Sequence, residues 1–275
     1  MSNETIIYKK DGGVATITMN RPDRKNAFNM QLMNELWAAL EDASEDDGVR
    51  VVVLTGAGGA FCSGADFRYR EVREGKIPLE EAEEIRPILD EMKAGKPVNR
   101  VTQIVMALQK MSKPTIGMVG GDAVGLGFDL ALACDMRVGS PAARFMVGFT
   151  RIGLPPDTGT AWFLPRICGV PKALEIILTG DFVEAEEAAK LGILNHLVPE
   201  AELEAETMKL ARKLAKGPPI AHRFDKLLVY NGLETDLEGS LAQSFTSITV
   251  GLFTQDHNEG VRAFLEKREP NFKGK

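Results

Sequence analysis

Two glycine-bearing stretches and two aspartates are where this sequence offers chemistry. Gly59-Ala60-Phe61-Cys62-Ser63-Gly64-Ala65-Asp66 and Gly121-Asp122-Ala123-Val124-Gly125-Leu126-Gly127 each follow an apolar run that reads as a buried strand. Glycine lets a backbone approach a ligand closely and adopt turns that leave amide N–H groups pointing outward. Two such loops can aim two N–H donors at one carbonyl oxygen, which is what holding an enolate or a tetrahedral oxyanion requires. Taken alone they also read as plain tight connections. The second is no dinucleotide fingerprint, because the third glycine of that pattern is missing.

Asp129 stands between Phe128 and Leu130, at the head of the apolar stretch Leu130-Ala131-Leu132-Ala133. A buried carboxylate costs several kcal/mol unless it is paired or functional, so this position is either catalytic or a helix-start aspartate favoured by the helix dipole. Asp157, in Pro155-Pro156-Asp157-Thr158-Gly159, reads by itself as the N-cap of the helical run that follows. The three histidines, His196, His222 and His257, are scattered and keep no cysteine company, so no metal site is expected. The three cysteines, Cys62, Cys134 and Cys168, are odd in number and widely spaced, which suits reduced, packed thiols.

These groups need a scaffold, and 275 residues with 44% hydrophobic and 26% charged content are enough for an ordinary globular core. A net charge of -6 argues against nucleic-acid binding. The N-terminus opens polar and acidic, and no apolar run is long enough to span a bilayer, so a cytoplasmic protein is expected.

Ile6, Tyr8 and then Val14, Ile17 and Met19, separated by Asp11-Gly12-Gly13, predict a β-hairpin. Leu32/Met33, Leu36/Trp37, Leu40 and Ala43 recur at helical spacing behind Asn29, a cap. Val51-Val52-Val53-Leu54 and Thr115-Ile116-Gly117-Met118-Val119 read as strands buried on both faces. Met136-Arg137-Val138 and Arg144-Phe145-Met146-Val147 predict two short strands. Residues 70–98 are charge-dense and read as a mobile helical excursion. Helices are expected at 173–178, 185–191, 200–216 and as a long section over 234–267. Gly217-Pro218-Pro219 is the clearest breaker, so the expected division is a core over 1–217 and a helical region over 218–275.

Several separate motifs stand in one order and spacing: Asn20-Arg21-Pro22 with Asn26-Ala27, Phe61 to Asp66, Lys113-Pro114, Ala123-Val124-Gly125-Leu126-Gly127 through Cys134-Asp135, and Gly153-Leu154-Pro155-Pro156-Asp157 with Leu164-Pro165-Arg166. In these the chain resembles the enoyl-CoA hydratase/isomerase (crotonase) superfamily from about residue 5 to 270. The resemblance implies an α/β fold, a spiral of ββα turns with a helical C-terminal trimerisation region, assembling as a homotrimer or hexamer. It implies an acyl-CoA substrate and no cofactor beyond the coenzyme A that the substrate carries. The implied oxyanion donors are the backbone N–H groups of Ala65 and Leu126. Arg24, Lys25, Ala27, Ser63, Asp66 and Phe67 fall where similar proteins line the coenzyme A pocket, and Phe264 and Lys267 where a neighbouring subunit completes it.

The pattern departs from ordinary hydratases at one place. Their two glutamates correspond here to Asp129 and Phe149, so water activation by a glutamate pair is not expected. Asp157 instead stands where dienoyl-CoA isomerases and the ring-epoxide isomerases of phenylacetyl-CoA breakdown carry a catalytic aspartate. The expected catalytic groups are therefore Asp157, helped by Asp129, with Phe149 and Trp162 lining the acyl pocket and favouring a cyclic, unsaturated or aromatic-derived group. Acyl-CoA hydrolysis, carbon–carbon cleavage and dehalogenation are alternatives on the same scaffold, and a non-catalytic acyl-CoA-binding relative is another.

Overall fold

The computed structural model describes residues 5–66, 76 and 100–275. Phe67 and, apart from Lys76, the stretch 70–98 lie outside the described residues.

The hairpin forms as its alternation requires. β1 (Ile6–Asp11) runs antiparallel to β2 (Val14–Met19), with Asp11 paired to Val14 across a turn in which Gly12 and Gly13 have φ of 55° and 82°. Two successive positive φ values are what a two-residue hairpin turn of this hand demands, and glycine supplies them without strain. α1 (Met30–Glu45) follows, and Asn29 caps it by accepting a hydrogen bond of 2.9 Å from the Leu32 amide.

β3 (Val51–Gly56) is buried from Val51 to Thr55 because both of its faces are covered. Val52 and Leu54 face the cluster containing Leu36, Leu40 and Phe61, whereas Val51 and Val53 face a second cluster with Leu203 and Ala211. Alternation of side chains along one strand thus feeds two cores, which explains a continuous apolar run.

Beyond β3 the chain winds in repeated turns. α2 (Arg100–Lys110) leads to β4 (Thr115–Val119), β5 (Asp122–Val124), the short α3 (Leu126–Ala133), β6 (Met136–Gly139) and β7 (Arg144–Met146). Next come α4 (Thr160–Cys168), α5 (Val170–Thr179), β8 (Val183–Glu184), α6 (Ala185–Lys190), β9 (His196–Leu197) and α7 (Leu203–Ala215). The larger sheet has the order β1-β2-β3-β4-β6-β9 and the smaller one β5-β7-β8. A turn of chain such as β4-β5-α3 therefore places one strand in each sheet before a helix carries it onward.

α3 is buried at every position. Its C-terminal carbonyls meet the buried guanidinium of Arg137, which donates to Cys134 O at 2.6 Å and to Ala131 O and Leu132 O, while its Nε donates to Ile193 O at 2.5 Å. The helix begins at Leu126, so Asp129 closes its first turn rather than heading it.

Three C-terminal helices complete the chain: α8 (Pro219–Gly232), α9 (Leu237–Leu252) and α10 (Gln255–Glu266). α8 is tied to the core by a Lys226–Asp135 ion pair of 2.9 Å between largely buried side chains and by Tyr230 Oη donating to Asp135 at 3.0 Å. The long helical section over 234–267 consists of two helices, because Thr254 breaks it and caps α10, accepting from the His257 amide at 3.0 Å. Asp256 then accepts from the Lys273 and Gly274 amides at 2.6 and 2.8 Å, folding the last residues back onto this helix. α9, α10 and the turn between them leave Leu237, Leu241, Phe245, Phe253 and Phe264 exposed.

Candidate active site

The two glycine loops meet. Cys62 and Ala123 form a parallel bridge, and the Val124 amide donates to Cys62 O at 2.9 Å. The contact is backbone on backbone. A Cβ on Gly127 would lie 2.1 Å from Cys62 O, one on Gly121 1.9 Å from Gly59 O, and one on Gly64 2.8 Å from Val124 O. Such distances admit no side chain, and Gly64 also has a φ of 91°.

This packing orients two amides. Phe28 bridges Ala65 in parallel, donating to Gly64 O at 2.8 Å and accepting from the Asp66 amide at 2.9 Å. In that pattern the N–H of Ala65 itself points away from Phe28. The Leu126 N–H belongs to the first turn of α3, where intrahelical acceptors are lacking. Among the described residues neither amide has a hydrogen-bond acceptor. The nitrogen of Leu126 would lie 3.6 Å from a Cβ on Gly64, so the two donors sit on adjoining segments of one junction.

Asp129 is wholly buried on α3 and accepts hydrogen bonds from the hydroxyls of Thr158 and Thr160, one on each carboxylate oxygen. Burial raises its pKa from 3.8 to about 6, with the threonines opposing the rise and the Asp157 charge adding to it. Asp157 is exposed on the loop leading into α4, and partial burial of its carboxyl raises its pKa above the ordinary aspartate value. It is not the helix cap that its sequence context suggests. Gly159 occupies that position, with a φ of 134°, leaving Asp157 outside the helix. The Thr158–Asp129 bond holds this loop against α3, three residues from Leu126, which is about 4.5 Å along a helix axis.

Phe149 is half-buried, and its ring lies 3.9 Å from where a Cβ on Gly125 would be, beside the start of α3. Trp162 stacks edge-on with Phe163, with ring centroids 4.9 Å apart, and carries the Arg166 guanidinium 4.1 Å from its centroid. Trp162, Phe163, Thr158 and Gly159 line a cavity of about 810 Å³ whose other walls are α2, through Val105 and Met106, and α8, through Phe224 and Leu227. Phe149 is not among the residues that line this cavity.

Arg24, Lys25, Ala27, Ser63 and Asp66 do come together. The Ser63 amide donates to Lys25 O at 2.9 Å and its Oγ to Arg24 O at 3.2 Å, while Arg21 pairs with Asp66 at 3.0 Å. Asn26 organises this edge from a left-handed backbone: its buried amide donates to Ala57 O and Ala60 O at 2.9 and 2.8 Å, and its Oδ1 accepts from the Arg21 amide at 2.9 Å. Arg24 is exposed and Ala27 buried, and Lys25 reaches towards Asp122 at 3.5 Å. Phe264 and Lys267 are exposed at the end of α10. Reading the sequence alone did not single out Thr158 and Thr160. Their only signal was hydroxyl residues one and three places after a candidate aspartate.

Known proteins resemble this chain over nearly its whole length. The enoyl-CoA hydratase/isomerase family model matches residues 9–275. A probable enoyl-CoA hydratase of Rhodobacter capsulatus is 36% identical over 100% of both chains. The 1,2-epoxyphenylacetyl-CoA isomerase of Escherichia coli is 34% identical over 99% of each. The crystal structure of an enoyl-CoA hydratase from Bacillus anthracis, 32% identical, superposes with a TM-score of 0.87 over 98% of this chain and 100% of the other. The chain thus belongs to the enoyl-CoA hydratase/isomerase family, with the crotonase fold, and is an enzyme of that type.

Proposed function

We propose that the protein isomerises an unsaturated acyl-CoA thioester, using the Ala65 and Leu126 amides as oxyanion donors and Asp157 as the proton-transferring base. The observation that carries this reading is the junction of two acceptor-free amides beside a loop that holds an exposed aspartate of raised pKa. As Asp157 removes a proton from an acyl carbon, the C–H electron pair passes through the chain to the thioester oxygen, where the two N–H groups meet the developing charge. The same carboxyl then returns the proton to a carbon further along, shifting the double bond. A base of this kind contributes on the order of 10²–10⁴-fold.

Isomerisation is favoured over hydration because hydration calls for one carboxylate to activate water while another supplies a proton. Asp129 has both oxygens engaged by threonines and no exposed surface, and an aromatic ring stands beside Gly125. The acyl group extends past Thr158 and Gly159 into the 810 Å³ cavity, whose Trp162, Phe163 and Phe224 suit a cyclic, conjugated or aromatic-derived group. Arg24, Lys25, Ala27, Ser63 and Asp66 hold the coenzyme A moiety. Phe264 and Lys267 of an adjacent copy complete its site in a homotrimer or a hexamer, which also covers the exposed leucines and phenylalanines of α9 and α10.

Incubation with a panel of enoyl-CoA thioesters, followed by mass spectrometry and absorbance, tests the reaction type. A shifted double bond without mass change is expected, and gain of water would replace isomerisation by hydration. Asp157→Asn should lower turnover by roughly 10²–10⁴-fold while acyl-CoA binding stays within a few-fold. Equal turnover of variant and parent rules out the mechanism.

A further inference from the structure

Arg21 stands outside the groups that would hold coenzyme A or move a proton, yet its side chain reaches the neighbour of Ala65. One terminal nitrogen of its guanidinium donates to the Asp66 carboxylate at 3.0 Å, and the other donates to Ala27 O. Both charged side chains are largely buried, Arg21 being 12% and Asp66 11% exposed. The backbone of Arg21 is fixed in turn. Its amide donates to Asn26 Oδ1 and its carbonyl accepts from the Asn26 amide, both at 2.9 Å.

What this fork spans is the short ladder that orients Ala65. The Ser63 amide donates to Lys25 O at 2.9 Å, Phe28 to Gly64 O at 2.8 Å and Asp66 to Phe28 O at 2.9 Å. Among the described residues these three bonds are the whole main-chain tie between 25–28 and 63–66. So short a ladder has little hold on its last members. Asp66 is the last, one residue past Ala65, and any rotation of the chain there carries the Ala65 N–H with it.

We propose that Arg21 and Asp66 are positioning residues for the oxyanion site. Their ion pair, braced on Ala27 O, holds the outer end of the ladder so that the Ala65 N–H stays aimed at the thioester oxygen beside the Leu126 N–H. Lysine does not replace arginine here, since a single ammonium lacks the planar fork that reaches two separate acceptors. The role is one of geometry. The charge of Arg21 is neutralised by its contact with Asp66, so the pair adds little net field at the oxyanion, whereas a donor already aimed at developing charge is what lowers the barrier.

The inference rests on Ala65 and Leu126 being the oxyanion donors, and its test keeps the two questions apart. Hexanoyl-CoA, which has no double bond to move, is bound under an excess of protein with ¹²C or ¹³C at the thioester carbonyl. The bound carbonyl stretch is then read from the isotope difference in the infrared. In the parent it should lie below that of free hexanoyl-CoA, because two N–H donors polarise the bond. A parent without this downshift defeats the oxyanion reading itself. Arg21→Lys and Asp66→Ala should each lose most of the downshift, and variants that keep the parental value overturn the positioning role. A purely electrostatic role predicts the opposite pattern. Arg21→Lys keeps the cation and Asp66→Ala removes its counter-ion, so the downshift would be kept in the first and deepened in the second, which also overturns the proposal. In Arg21→Lys, turnover should fall on the order of 10–10²-fold, as for a donor displaced by up to about 1 Å, while the Kd for hexanoyl-CoA stays within a few-fold. A weaker Kd with parental kcat would make Arg21 a binding residue and overturn it. If Asp66→Ala does not fold, Arg21→Lys decides alone.

Discussion

The junction of the glycine loops and the C-terminal helices hold together in opposite ways. At the junction, backbone touches backbone: Gly121, Gly127 and Gly64 each face a carbonyl oxygen that a methyl group would strike. On α9, Gly251 faces open space, and neighbouring large apolar side chains point outward. One region is fixed by the absence of side chains, the other presents side chains with little covering them in the single subunit. The junction leaves least room for substitution, and the outward face of α9 leaves most.

The sharpest way to break this contrast is Gly127→Ala. The new Cβ would sit 2.1 Å from Cys62 O, a main-chain atom that cannot swing aside. We expect a loss above about 3 kcal/mol in urea unfolding, or no folded protein. A variant of near-parental stability would mean that the loops do not press together.

A medium effect is expected from pH. Asp129 has its pKa raised from 3.8 to about 6, so between those values the folded protein holds a proton that the unfolded chain has lost. Its contribution to stability is therefore fully present below about pH 4, declines as pH rises through 6 and is lost above. Asp129→Asn does not titrate. The unfolding free energy of parent minus variant should fall by roughly 1–3 kcal/mol between pH 4 and pH 7. A difference that does not vary with pH would show that Asp129 keeps one protonation state throughout.

The smallest effect on the folded subunit is expected at Phe245→Asp on α9, an exposed side chain. The variant should keep the parental circular dichroism and change local stability by less than about 0.5 kcal/mol. Its sedimentation mass should drop if neighbouring copies cover this face, and an unchanged mass would separate α9 from assembly.

Much of the scaffold could be read from the chain because the signals were local. Asn29 before a helical apolar period, Gly12-Gly13 between alternating strands and the run Val51 to Leu54 each carry their own instruction, and each element formed where it was read. The meeting of the two loops was foreshadowed by their glycines, whereas Ala65 and Leu126 were named only through the family resemblance. The setting of Asp129 was not, because its partners Thr158 and Thr160 lie 29 and 31 residues away and meet it only when α4 packs on α3. Asp157 looked like a cap for a local reason that tertiary packing overrode, since Gly159 starts the helix. The cavity was equally hidden, being bounded by α2, α4 and α8, which sequence separates widely.

Arg137 gives the short helix α3 a polarity of its own. Its cation rests on the carbonyls at one extremity, neutralising the negative pole, while the amide of Leu126 opens the other. With the tail compensated from inside the protein, the field at the head keeps its positive sign for whatever anion arrives there. An arginine buried at the far end thereby sets the electrostatic character of the helix's opening turn.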